Sequence, residues 1–144
     1  MSSKIELTEN EGKYLKLIYR RQREESKEIR TTDIADFLQV RPATVTEVLQ
    51  NLDSKGMIRH ESYKGVELTR MGVEKARNLL RRHRILETLF VNYLGFDEGQ
   101  ACEEAIQIDQ HVSEYLIDSI CKSFGHPSMC PCGKRIFGSS KCEG

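Results

Sequence analysis

Four apolar residues constrain this chain more than any other feature. Val45, Val48, Leu49 and Leu52 stand at i, i+3, i+4 and i+7, the spacing that gathers side chains into one stripe on an α-helix. Pro42 suits the first position of that helix, because its missing N–H would be unpaired there anyway. Gly56 suits its end. The opposite face carries Thr44, Thr46, Glu47, Gln50 and Asn51. Upstream, a shorter helix is expected through Asp33 to Leu38, capped by Thr31 or Thr32 and followed by the turn Gln39-Val40-Arg41. Downstream, Met57 to Ser62 and Val66 to Thr69 read as two short strands joined by Tyr63-Lys64-Gly65. Two strands are marginal alone, so the hairpin must lean on the helices. Short helix, tight turn, amphipathic helix, hairpin: this is the order of a winged helix-turn-helix.

The rest of the chain reads as helix. Thr8-Glu9-Asn10-Glu11 is a capping-box pattern, and Tyr14, Leu15, Ile18 and Tyr19 follow at helical spacing, giving a first helix from about residue 9 towards 25. Thr69 can cap a long helix from about 70 to 93, ended by Gly95. Further helices are expected near 98–111 and 114–124, the second capped by Ser113. Beyond Gly125, Pro127, Pro131, Gly133 and Gly138 break the pattern, and the tail reads as loop. The expected fold class is mostly α with a two-stranded β wing.

Composition excludes several classes. With 144 residues, 38% hydrophobic and 31% charged, the chain has enough apolar material for a core. Its longest apolar run falls far short of the ~20 residues of a membrane span. The first residues hold no apolar h-region, and five cysteines without an export signal point to thiols or metal ligands in a reducing cytoplasm. No Gly-rich phosphate loop, GxSxG or HExxH is present, so no enzyme is expected. The net charge of zero conceals a segregation. Residues 1–84 carry 18 basic and 13 acidic side chains, net +5, whereas 85–121 carry eight acids and no Lys or Arg. A basic N-terminal part can meet a polyanion, and an acidic part can bind cations or form a solvated surface.

If the second helix buries its stripe, its outer face is free to enter a major groove about 12 Å wide. Thr44 and Thr46 are short donors suited to phosphates near a helix N-terminus. Gln50 and Asn51 can pair bidentately with adenine, and Glu47 can accept from cytosine N4. Arg59 and Lys64 on the hairpin can reach phosphates. A solvated polar face is the plain alternative, and LxxLxxKGMI (49–58) before a basic hairpin favours DNA.

The chain resembles the iron- and manganese-dependent transcriptional repressors, the diphtheria-toxin-repressor family. The likeness lies in YLKLIY (14–19), TTDIADFLQVRPATVTEVLQNLDSKGMI (31–58), YKGVELTRMG (63–72), RRHRILE (81–87), EEA (103–105), QHVS (110–113) and HPSMCPCGKRI (126–136). It implies a winged helix-turn-helix at 1–73 and a helical dimerisation and metal-binding lobe at 74–144, the short form without the C-terminal barrel of longer members. It further implies a homodimer on a double-stranded, palindromic operator, repressing metal-homeostasis genes, with no membrane. On the family's pattern, Arg41, Ala43, Thr44, Thr46 and Glu47 take the DNA-facing places, and Lys64 that of the wing.

The resemblance also implies metal ligands. His83 and Glu87, at i and i+4, match a ligand pair; Cys102 takes the place of a third ligand of that site, and His111 matches the histidine of another. Lys13, Lys16, Gln107 and Gln110 stand where the family places carboxylates, Met or Cys in that other site. Two ammonium groups repel a divalent cation, so DNA binding is either driven by metal at His83, Glu87 and Cys102, or constitutive with the lysines in the cation's place. The expected cofactor is a divalent transition metal: ferrous iron (Fe2+), with Zn2+ or Mn2+ as alternatives. His126, Cys130, Cys132 and Cys142 form a possible second metal set, for zinc or an iron–sulfur cluster. Redox or iron–sulfur sensing through these cysteines, or metal binding without DNA, are the alternative functions.

Overall fold

The structure, a computed structural model, describes residues 6–61 and 65–138. The chain divides into two compact units, Met1–Arg77 and Asn78–Gly144.

In the first unit, α1 (Glu9–Tyr19) starts on the expected capping box: Glu11 N donates to Thr8 Oγ1 at 3.1 Å and Thr8 N to Glu11 Oε1 at 2.9 Å. It buries Tyr14, Leu15 and Ile18 and runs on into one π-helical segment, Arg20–Glu24. The short helix α2 (Thr31–Leu38) begins one residue earlier than a threonine cap allows. Arg30 is its N-cap, and Asp33 Oδ2 accepts from Arg30 N at 2.9 Å. Helix α3 (Pro42–Ser54) has Pro42 in its first turn and buries Val45, Val48, Leu49 and Leu52.

Strands β1 (Ile58–Glu61) and β2 (Gly65–Leu68) pair antiparallel, with Ile58 opposite Leu68 and Arg59 opposite Glu67. Thr69 closes the hairpin. Its Oγ1 lies 2.6 Å from Gly56 O and 3.0 Å from Met57 O, and accepts from Gly72 N at 3.0 Å. Gly72 is required by contact: a Cβ there would stand 1.9 Å from Met57 O.

The long helix α4 (Arg70–Leu94) leads into the second unit, where α5 (Glu98–Ile108) is capped by Asp97 and α6 (Glu114–Ser123) by Ser113. Ile85 and Leu86 of α4, Ala105 of α5, and Ile117 and Cys121 of α6 form a core with Cys130 and Ile136 of the tail. The tail is therefore more than loop. A bridge between Met129 and Arg135 makes it a tight hairpin, and buried Arg84 donates to Arg135 O at 2.7 Å. No helix among the described residues is long and apolar enough to cross a membrane.

Candidate DNA-facing helix and metal centre

With its stripe buried, α3 turns the remaining side chains outward. Arg41, its N-cap, is exposed, as are Ala43, Thr44, Glu47, Gln50 and Asn51. Thr46 is half-buried, and its hydroxyl donates to Pro42 O at 3.1 Å. Arg59 is exposed on β1; Lys64 lies outside the described residues.

One turn of α4 places His83 directly before Glu87, since residues four apart share a helix face. His83 Nε2 lies 2.8 Å from Glu87 Oε1 and 3.6 Å from Cys102 Sγ of α5. A nitrogen, a carboxylate oxygen and a sulfur thus lie within 4.8 Å of one another, with His83 and Glu87 buried and Cys102 half-buried. Asp109 stands behind the ring: fully buried, it meets His83 Nδ1 through Oδ2 at 3.0 Å. Burial works against a charge on His83, but the hydrogen bonds of Asp109, Cys102 and Glu87 outweigh it and push the imidazole up to about 10. Without metal, His83 therefore carries a proton between two carboxylates.

A second set shares the same carboxylate. Glu87, Cys130 and Cys132 also lie within 4.8 Å of one another, with Glu87 Oε2 at 3.8 Å from Cys132 Sγ. Partial burial, the hydrogen bond with Cys130 and the charge of Glu87 push the Cys132 thiol up to about 12. The four tail residues expected as one set are not assembled as such: His126 is exposed and meets buried Cys121, Nδ1 to Sγ 3.4 Å, and Cys142 lies outside the described residues. His111 is exposed beyond the end of α5 and joins neither cluster among the described residues. Gln107 and Lys13 are exposed, Gln110 is half-buried and Lys16 is buried. Asp109 is not marked as a site residue by any sequence motif, being one acid among eight in 85–121, and no spacing ties Glu87 to Cys130 and Cys132, more than forty positions away.

Residues 6–66 match the family described as iron dependent repressor, N-terminal DNA binding domain. Residues 69–138 match iron dependent repressor, metal binding and dimerisation domain. The chain belongs to the iron-dependent repressor family. It is 33% identical over 107 residues to the uncharacterized HTH-type transcriptional regulator MJ0568 of Methanocaldococcus jannaschii, covering 74% of this chain and 86% of that one. Among solved structures it resembles the manganese regulator SloR, at 29% identity and a TM-score of 0.81, covering 92% of this chain and 61% of that one. It also resembles a manganese-dependent transcriptional repressor in complex with manganese, at 32% identity and a TM-score of 0.83, covering 90% and 59%. The chain thus spans about three fifths of those two regulators. The iron-dependent repressor family consists of metal-dependent transcription regulators, and the winged helix-turn-helix here is its DNA-binding part. The donor chemistry fits a metal: an imidazole, a carboxylate and thiols converge within the part of the chain that matches the metal-binding domain.

Proposed function

We propose that this chain is a repressor whose grip on its operator is set by a divalent transition metal held by His83, Glu87 and Cys102. The observation that carries the reading is the convergence of these three donors, in a chain whose α3 also presents an exposed polar face. When bound, the ion supplies positive charge that compensates Glu87 and a Cys102 thiolate. To serve as a ligand, His83 would give its Nε2 proton to solvent, while Asp109, beside Nδ1 at 3.0 Å, would keep Nδ1–H in place and so fix the tautomer able to coordinate. The α3 face reads bases through Gln50, Asn51 and Glu47, while Arg41, Thr44 and Thr46 address the backbone, with Ala43 close to the groove floor. As a homodimer the protein would set two such helices on the two halves of a palindrome.

The test is fluorescence anisotropy on DNA from the gene's own promoter, with metal-free protein, then added Fe2+, Zn2+ or Mn2+, then chelator. Binding that rises with metal, falls with chelator and is lost in His83→Ala supports the reading. Chelator-resistant binding unaffected by His83→Ala overturns it and favours a constitutive repressor.

A further inference from the structure

Both oxygens of Glu87 face a donor set, and the sets differ. Oε1 faces His83 Nε2 at 2.8 Å, in the group completed by Cys102. Oε2 faces Cys132 Sγ at 3.8 Å, in the group completed by Cys130. The second group is a built feature. Cys130 N donates to Lys134 O at 2.8 Å and Gly133 N to Cys130 O at 2.9 Å, a turn that closes because Gly133 adopts φ +82°. The turn brings the two sulfurs to 2.8 Å and aims Lys134 N–H at Cys130 Sγ, 3.3 Å away. Two thiolates beside a carboxylate are stable together when a cation shares their charge.

We propose that Glu87 bridges two metal half-sites, His83–Cys102 and Cys130–Cys132, and that this centre selects thiophilic ions of the zinc class over manganese. The inference rests on the reading that His83, Glu87 and Cys102 hold the regulatory metal, and adds the second ion and the selectivity. Three sulfur donors decide the class. Thiolates suit zinc and similarly soft ions, whereas manganese prefers carboxylate, carbonyl and water, and stands lowest in divalent affinity at a given site. At a Zn–S bond of about 2.3 Å, tetrahedral geometry separates two sulfurs by about 3.8 Å. The Cys130 and Cys132 sulfurs need to part by about 1 Å to reach that, which exposed Cys132 can provide.

Metal-free, reduced full-length protein titrated with Co2+ tests this, because thiolate-bound cobalt absorbs by charge transfer. The expected result is two Co2+ per chain, both showing thiolate charge transfer, displaced by equimolar Zn2+ and retained in a hundredfold excess of Mn2+. Cys132→Ser should remove one equivalent and Cys102→Ser the other, while Glu87→Gln weakens both at least tenfold; circular dichroism checks that each variant is folded. Cys132 is exposed, so serine there is accommodated. Displacement by Mn2+, or two equivalents with undiminished charge transfer in Cys132→Ser, overturns the inference. If Cys132→Ser is silent while His83→Ala removes an equivalent and metal-stimulated DNA binding, the bridge falls and the regulatory site stands. If His83→Ala and Cys102→Ser leave both metal uptake and stimulated DNA binding intact, both readings fall.

Discussion

Asp109, with no exposed surface, holds the Nδ1 side of His83 through Oδ2 at 3.0 Å. The imidazole is thereby turned so that Nε2 faces Glu87 and Cys102. Asp109 need not touch an ion to govern its binding. Asp109→Asn keeps the shape but lets an amide N–H point at Nδ1, favouring the wrong tautomer. We expect metal affinity to drop about 10–100-fold, read by competition with a chromophoric chelator, with the helical signal unchanged. Unaltered affinity would sink the orienting role.

The proton on His83 makes the metal-free protein sensitive to alkali. Its folded value of about 10 lies above the ordinary 6.5. The stabilisation is therefore full below about pH 6.5 and is lost as pH rises through about 10. Across that window the fall reaches up to about 1.4 kcal/mol per pH unit from this group. Urea midpoints of metal-free protein at pH 6, 7.5 and 9 should decline in sequence, and His83→Gln should flatten the trend.

On α3 the two faces should separate cleanly. Thr44→Ala with Gln50→Ala alters exposed positions only. It should weaken operator binding by about 1–3 kcal/mol for the lost base contact without shifting the melting temperature by more than a degree or two. Leu49→Ala, at a site with no exposure, should instead cost about 2–5 kcal/mol of stability. Equal loss of DNA affinity in a random-sequence duplex would show that Gln50 carries no sequence information.

Gly72 offers a check against helix propensity. Alanine within a helix ordinarily gains up to about 1 kcal/mol over glycine. Here its Cβ would meet Met57 O at 1.9 Å. Gly72→Ala should therefore destabilise by about 1–3 kcal/mol, seen as a lowered thermal midpoint; a raised one would mean that α4 shifts freely away from Met57.

What the sequence disclosed followed the range of the forces involved. The Thr8 box, the α3 stripe, Thr69 and Ser113 are local: their partners lie within one or two turns, so spacing alone reveals them. The cap of α2 misled because two adjacent threonines advertise a start, whereas Asp33 bonded to Arg30 N decides it. His83, Glu87 and Cys102 were legible through the resemblance. The meeting of Glu87 with Cys130 and Cys132, and of His83 with Asp109, depends on how the tail hairpin and the end of α5 pack around Ile85 and Leu86. Such contacts bridge stretches of chain whose lengths carry no periodic signal.

The single hydroxyl of Thr69 has a consequence for reading DNA. It ties the carbonyls that follow α3 to the first turn of α4, at the root of the β1–β2 hairpin. Helix and wing cannot slide past one another without breaking these bonds. On the proposed mode of DNA binding, with α3 in a groove and the wing on the backbone, the pair would act as a caliper with a locked hinge, measuring a fixed span between the two. A duplex of the right bases but the wrong groove width would have to deform to fit, and the cost of that deformation adds a selection that no base contact supplies.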